Sequence, residues 1–218
     1  MPTTYAHYKF GKEVLSALPR PLQNSIEAHR ELFDIGLHGP DILFYYNALK
    51  KDPVNEQGHT LHEQFADEFF HHAVEVIEKA KDPAAARAYI YGFICHFALD
   101  SECHPYVEKI MQVGRVSHNE IEMELDRMML TEDYHDPLRY LTAKHIQPKM
   151  EYAEVIAPFF KDVTAEQIYK ALKGMVFYHK LFLAPTSGKR KALFLGMKAV
   201  GKYDSLHDIV MSVKPDPL

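Results

Sequence analysis

Apolar residues recur at intervals of three and four along almost all of the 218-residue chain, and no stretch shows the sustained alternation of a β-strand. Prolines fall at the joints between these segments, and glycine is scarce, with 10 residues. Apolar spacing of this kind gives each helix a face that must be buried against another helix. The sequence therefore predicts an all-α fold, arranged as a single multi-helix domain over residues 1–218.

Prolines, glycines and capping residues divide the chain into predicted helices, with a predicted loop over residues 50–58. The helices before this loop are Tyr5 to Leu18, Leu22 to Leu37 and a short one that starts at Asp41. Those after it are Thr60 to Lys81, Pro83 to Cys103, one from the cap Ser117 to Leu130, a short one opened by Asp136, and helices over 150–160, 165–183 and 189–200. The segment 131–218 is expected to support or cover the functional site.

Histidine is unusually frequent, with 14 residues, whereas the chain carries a net charge of −5 and no basic block. A nucleic-acid-binding surface is not expected, because phosphate binding normally leaves a stripe of positive charge. Histidine is the commonest metal ligand in proteins. The composition therefore favours a metal-binding protein.

Cysteine usage and the chain's hydropathy favour the cytoplasm. Cys95 and Cys103 are separated by about 12 Å of helix rise, too far for a disulfide, and free thiols suit a reducing compartment. The start MPTTYAHYKFGKEV has no secretory-signal pattern, and no apolar run reaches the roughly 20 residues of a membrane span. We expect a cytoplasmic protein without a transmembrane segment. The sequence does not indicate an oligomeric state.

The segment YIYGFICHFALDSECHP, residues 89–105, carries His96, Asp100 and His104 at successive intervals of four. Each step of four drifts only about 40° around a helix, so the three side chains line one stripe. The rest of this helix is mostly apolar, which predicts that the stripe is buried. Buried imidazole and carboxylate groups need partners, and a divalent cation satisfies all three together. A carboxylate between two histidines can also bridge two metal ions.

A second pair of candidate ligands lies in SHNEIEMELDRMM, residues 117–129. His118 and Glu122 are four apart on one face, like the ligand pairs of helical zinc sites. Apolar residues occupy the neighbouring face, so the pair is expected to point inwards. The other acidic residues of the segment fall on different faces and are expected to be solvated: Glu120, Glu124 and Asp126.

Three further polar residues occur in apolar or turn-rich surroundings: His7, Asp41 and His62. Asp41 follows a Gly-Pro pair at the start of a predicted helix, where a carboxylate also serves as an ordinary cap. His62 lies in the first turn of the next predicted helix, and His59 lies three residues before it. Either of these two histidines could be the ligand.

The order of these residues resembles that of the zinc-dependent phospholipase C family. The shared pattern is H…GPD…LH…GFxxHxxxDxxxHP…HxxxE, within residues 3–130. The resemblance implies an all-helical fold, three zinc ions and the hydrolysis of a phosphodiester. It also implies the ligands: Asp41, His62, His96 and Asp100 for one zinc; His104, His118 and Glu122 for a second; Asp100 and His7, with the amine and carbonyl of the mature N-terminal residue, for a third.

The N-terminal ligand is where this chain departs from the family. Secreted members expose a tryptophan N-terminus, and this chain contains no tryptophan. The third zinc lacks its terminal ligands unless Met1 or Pro2 reaches it, so we expect two zinc ions, with the third position weakly filled. The predicted function is a zinc-dependent phosphodiester hydrolase for a small-molecule or lipid substrate, with Asp41 as the candidate general base.

Other functions fit parts of the same pattern. A non-catalytic zinc-binding protein of this fold, a sensor or a scaffold, would keep the same ligands. A helical di-iron protein is disfavoured because the paired Glu-x-x-His motifs of that class are missing from the sequence. The His-Asp dipeptides at 135–136 and 207–208 suggest an HD-type phosphohydrolase, but they occupy loop-like positions without a second histidine arranged before them.

Overall fold

The computed structural model describes residues 4–114 and 116–215, and every regular element in this part of the chain is helical, which confirms the all-α prediction. None of the helices among these residues is both long enough and apolar enough to cross a bilayer. The α-helices are α1 (Thr4–Ala17), α2 (Arg20–Glu27), α3 (Arg30–Gly36), α4 (Pro53–Glu63), α5 (Ala66–Lys79), α6 (Pro83–Val113), α7 (His118–Glu132), α8 (Met150–Ile156), α9 (Ala165–Phe182), α10 (Ser187–Ala199) and α11 (Tyr203–Leu206). Short 3-10 helices cover Gly39–Tyr45, Ala157–Phe159 and His207–Ile209.

The chain divides into two compact units, which we describe separately. The first unit comprises Tyr8–Phe97 and Ala143–Tyr178. Of the described residues, the second unit comprises 4–7, 98–114, 116–142 and 179–215. A single domain over the whole chain stays a prediction.

The first unit contains a large apolar core that fixes one part of α6. Tyr89 and Phe93 of α6 are buried in this core together with Ile42 of the first 3-10 helix and Leu172 of α9. Burying an aromatic or large aliphatic side chain stabilises a fold by about 1.5 to 3 kcal/mol. The same packing therefore holds His96, one turn after Phe93, in a defined position.

Helices α3 and α6 cross where two glycines face each other. A Cβ on Gly36 would lie 2.1 Å from the carbonyl oxygen of Tyr89, and a Cβ on Gly92 would lie 2.2 Å from that of Phe33. Side chains cannot be accommodated at such distances, so the two backbones touch only because both residues are glycine. This close crossing brings α6 against the segment that leads into the first 3-10 helix.

In the second unit, the capping box predicted for α7 is present. The Ser117 hydroxyl accepts a hydrogen bond from the Glu120 amide at 3.2 Å, and the Glu120 carboxylate accepts one from the Ser117 amide at 3.1 Å. The prediction that Asp126 is solvated was wrong, because this residue is only 2% exposed. Its carboxylate accepts hydrogen bonds from the first amides of α1, at Tyr5 and Ala6.

The segment 50–58 differs from the predicted loop, because α4 begins within it. The Asp52 side chain accepts a hydrogen bond from the Val54 amide, and the Asn55 side chain accepts one from the Asp52 amide. Together with Pro53 in the first turn, these contacts form a helix start. Proline and asparagine, taken from the sequence as turn residues, are here N-terminal helix residues.

Other helix boundaries also differ from the prediction. The helix expected over 60–81 is interrupted at Gln64 and Phe65, between α4 and α5. Helix α6 continues through Pro105 to Val113 instead of stopping at the proline. The residues after Asp136 form a hydrogen-bonded turn rather than a helix.

Candidate metal centres

Three of the predicted ligands come together in the first unit: Asp41, His62 and His96. One ligand atom from each residue lies within 4.8 Å of those of the other two. The first 3-10 helix, α4 and α6 each contribute one of them. We call this group the first cluster.

Asp41 is positioned by the residues immediately before it. Its amide donates a hydrogen bond to the His38 carbonyl at 2.9 Å, which closes the first turn of the 3-10 helix. Gly39 has a φ of +45°, in the left-handed region that favours glycine. A Cβ at Gly39 would lie 2.2 Å from Cδ2 of His96. The Gly-Pro-Asp sequence therefore turns the chain tightly and leaves room for an imidazole beside Asp41.

His62 is oriented by a hydrogen bond on the far side of its ring. Its Nδ1 lies 2.7 Å from the Gly58 carbonyl oxygen, so Nδ1 carries the proton and Nε2 presents its lone pair. That Nε2 lies 3.0 Å from Oδ1 of Asp41. The Asp41 oxygen is buried and accepts no hydrogen bond, so the short contact lacks hydrogen-bond geometry. A lone pair and a carboxylate oxygen facing each other fit a shared cation, and the Nδ1 contact is the usual outer-shell partner of a metal-bound histidine.

A second cluster lies in the second unit: His104, His118 and Glu122. Their ligand atoms also lie within 4.8 Å of one another. His118 is the first residue of α7, and its Nε2 lies 2.7 Å from Oε1 of Glu122 one turn later. Burial lowers the pKa of His118, which favours the neutral imidazole that can act as a ligand. His104 comes from α6, and its ring centroid lies 5.6 Å from that of His118.

His7 and Asp100 form a third contact in the second unit. Nε2 of His7 lies 3.2 Å from Oδ1 of Asp100, and both side chains are almost fully buried. His7 lies on α1, directly after the two amides that bond to Asp126. The Asp126 carboxylate thereby fixes the turn that carries His7. The predicted terminal ligands of a third zinc, Met1 and Pro2, lie outside the described residues.

The structure thus places each predicted ligand in one of these groups. His62, and not His59, faces Asp41, whereas the exposed His59 packs on the ring of Phe44 with centroids 4.5 Å apart. Imidazole and carboxylate donors are the ligands that zinc takes in helical sites, and three of them per cluster leave a position for water or substrate. The residues present therefore fit zinc. Their role as ligands, and the number of ions, stay predictions.

A histidine pair beside the first cluster was missed from the sequence. Nε2 of the buried His38 lies 2.7 Å from Nε2 of His145, and the ring of Tyr8 stacks on His145 at 4.0 Å between centroids. His38 reaches Asp41 through its carbonyl and therefore helps to position the cluster. The only local signal was a histidine next to the Gly-Pro-Asp turn, because His145 is 107 residues away.

Comparison with known protein families gave a match over most of the chain. The model of a family described as zinc dependent phospholipase C matches residues 6–174, which includes all eight predicted ligands. No curated protein and no solved structure matches the chain.

Proposed function

Because this chain belongs to the zinc-dependent phospholipase C family, we propose that it is a zinc-dependent hydrolase that cleaves a phosphodiester. The observation that supports the proposal most directly is the first cluster, in which a buried carboxylate faces the lone pair of an oriented imidazole. Three separate helices supply its members, so the cluster depends on the fold and not on one local motif.

We assign the metal ligands by cluster. Asp41, His62 and His96 would hold one zinc ion in the first unit, and His104, His118 and Glu122 would hold another in the second. His7 and Asp100 are the candidates for a third. When bound, zinc polarises phosphate oxygens and lowers the pKa of water towards about 7, which makes hydroxide available at neutral pH.

Asp41 is the proposed general base. Its carboxylate has two oxygens, so one can bind metal while the other accepts the proton that the attacking water loses. The water oxygen bonds to phosphorus, the bond from phosphorus to the leaving oxygen breaks, and that oxygen takes a proton from solvent. The products are a phosphate monoester and an alcohol. Gly39 contributes indirectly, because it leaves room beside Asp41 for the ring of His96.

The substrate class that we propose is a small-molecule or lipid phosphodiester, as the family suggests. We also infer a cytoplasmic location, because both cysteines are free thiols. Burial raises the pKa of Cys95 to about 11, so this thiol stays protonated and unreactive at neutral pH.

The test combines metal content with turnover of a chromogenic phosphodiester. Zinc per chain is measured by elemental analysis in the native protein and in the Asp41→Asn variant. We expect the variant to lose zinc from the first cluster and to lose activity by about a hundredfold or more. The matched control is Asp67→Asn, which changes an exposed carboxylate in the first turn of α5 and should preserve both.

Two results would contradict the proposal in different ways. If the native protein binds zinc and cleaves no phosphodiester in a broad panel, it is a non-catalytic zinc-binding protein of this fold. If Asp41→Asn retains its zinc and its activity, the first cluster is not the metal centre.

A further inference from the structure

A surface cleft of about 520 Å³ lies in the first unit, beside the end of the 3-10 helix that begins at Gly39. One wall is the segment from Asn47 to Lys50, and the other is the face of α9 that carries Lys170, Lys173 and Phe177. Tyr45 and Tyr178 also line the cleft, and their ring centroids lie 6.3 Å apart. The cleft is therefore bounded by aromatic rings and by lysine side chains.

The charge of the cleft opposes that of the chain. Its lining includes three lysines, Lys50, Lys170 and Lys173, and neither aspartate nor glutamate, whereas the whole chain carries a net charge of −5. A concentration of one sign of charge in a concave surface attracts ligands of the opposite sign. The expected ligand is therefore an anion.

One of the lysines is held in position before any ligand arrives. Nζ of Lys170 donates a hydrogen bond to Oδ1 of Asn47 at 2.7 Å and lies 4.7 Å from the centre of the Tyr46 ring. The Asn47 amide nitrogen in turn donates to Asp52 at 2.9 Å, which fixes the direction of the amide. An ammonium group ordered in this way loses less conformational entropy on binding an anion. Lysine is a common point-charge partner of phosphate.

Large apolar side chains lie exposed at the same cleft. Leu49 is 55% exposed and Phe177 is 58% exposed, one on each wall. Aromatic and aliphatic residues beside lysines are typical of surfaces that enter the interface of a membrane. A soluble phosphate ester would use the lysines and leave these two side chains without a role.

We propose that this cleft binds the phosphate of an anionic lipid headgroup, with Leu49 and Phe177 entering the apolar layer beside it. The proposal goes beyond the hydrolysis proposed above and does not depend on it. Each lysine near an anionic bilayer adds to the electrostatic attraction between protein and membrane, and salt screens this attraction. Binding should therefore require negatively charged lipid and should weaken as ionic strength rises.

The experiment is co-sedimentation of the full chain with phosphatidylcholine vesicles, with and without phosphatidic acid. The phosphate of phosphatidic acid is a monoester, which diester hydrolysis cannot consume, whereas the phosphatidylcholine carrier is a diester. Phosphatidylcholine is therefore quantified before and after sedimentation, so that hydrolysis and headgroup binding are scored separately and the failure of one proposal is distinguishable from the failure of the other. We expect binding only with phosphatidic acid. The double variant Lys170→Gln, Lys173→Gln should weaken it about 25-fold, at about fivefold per lysine.

The matched control is the double variant Lys161→Gln, Lys180→Gln, which removes two exposed lysines that do not line the cleft. It should bind as the native chain does. Phe177→Ser should weaken vesicle binding and leave the weaker binding of soluble glycerol 3-phosphate unchanged. Thermal unfolding of each variant verifies that it is folded.

Three outcomes would overturn the proposal. Equal binding to vesicles with and without phosphatidic acid would exclude recognition of the anionic headgroup. An equal loss in both lysine pairs would show that net charge, and not the cleft, attracts the vesicles. Glycerol 3-phosphate binding as tight as vesicle binding, with no effect of Phe177→Ser, would assign the cleft to a soluble phosphate ester.

Discussion

Gly39 makes the first cluster sterically feasible. Its φ of +45° places the chain where a side chain is disfavoured, and the ring of His96 occupies the space that a Cβ would need. Both constraints act at a position that holds no metal itself. The Gly-Pro-Asp sequence therefore carries the geometry of the cluster as well as one candidate ligand.

We predict that Gly39→Ala removes zinc from the first cluster. The left-handed conformation alone costs about 1 to 2 kcal/mol for a residue with a Cβ, and the clash also displaces His96 from Asp41. Zinc content and the free energy of unfolding are the measurements. Gly196→Ala is the matched control, since a Cβ there meets nothing within 4 Å and should stabilise α10 by up to about 1 kcal/mol. Wild-type zinc content in Gly39→Ala would refute this account of the turn.

His179 gives a prediction for pH dependence. Its ring nitrogens lie 3.2 Å from the Thr4 hydroxyl and 2.9 Å from the Thr142 hydroxyl, and burial lowers its pKa to about 4 from the ordinary 6.5. Below pH 6.5 the unfolded chain binds a proton that the folded chain does not, so the contribution to stability is complete above 6.5 and is lost as pH falls towards 4.

The variant His179→Gln should therefore lose less stability in acid than the native chain. Relative to the native chain, its free energy of unfolding should rise by up to about 3 kcal/mol between pH 7 and pH 4. Denaturant unfolding of both proteins across this range gives the difference, in which the contributions of the titratable groups common to both proteins cancel. A difference that is constant with pH would mean that His179 does not remain neutral in the folded protein.

The start of α7 links a helix cap to a candidate ligand. The Ser117 hydroxyl accepts a hydrogen bond from the Glu120 amide and donates one to Asp208 at 2.7 Å. His118 follows immediately as the first helical residue. The cap therefore fixes the backbone from which one member of the second cluster extends.

We predict that Ser117→Ala weakens zinc binding at the second cluster as well as destabilising the fold by about 1 kcal/mol. The matched variant is Thr186→Ala, which removes the cap of α10, where the hydroxyl accepts from the Lys189 amide at 3.3 Å. Thr186→Ala should lower the free energy of unfolding by a similar amount and leave the zinc affinity unchanged. Zinc titration against a competing chelator compares the two variants. Equal zinc affinities would show that the Ser117 cap does not position the second cluster.

Local patterns explain which elements and which candidate ligand positions were predictable. The stripe of His96, Asp100 and His104 could be predicted because one helix carries all three at fixed spacing. The capping box of α7 was equally local. The start of α4 was missed because Asp52 and Asn55 serve turns and helix caps alike, and only the contact between their backbone and side chains decides between these roles.

Contacts between distant segments could not be predicted from the local sequence patterns. Asp126 has the spacing of a solvated face, but it is buried because the first turn of α1, 120 residues earlier, supplies two amides to its carboxylate. The pair of His38 and His145 likewise joins segments 107 residues apart, which no repeating spacing in the sequence connects. Such partners depend on how the helices pack, which hydrophobic spacing does not specify.

Each of the two units contains one of the two clusters defined above among the described residues. The first cluster joins residues between 41 and 96, and the second joins residues between 104 and 122. A metal ion at either cluster closes loops of chain that are open in the unfolded state. Metal binding is therefore expected to stabilise the fold, because the unfolded chain does not preform either site.

We predict that removal of zinc by a chelator lowers the temperature of unfolding and that added zinc restores it. At a free zinc concentration a hundredfold above the dissociation constant, one site adds about 2.7 kcal/mol, and for a chain of this size that corresponds to a shift of about 5 to 10 °C. Differential scanning calorimetry of chelated and reloaded protein measures the shift. Magnesium should not replace zinc, because histidine-rich clusters offer nitrogen ligands whereas magnesium prefers oxygen. Equal unfolding temperatures with and without chelator, or full recovery with magnesium, would show that these clusters are not zinc centres.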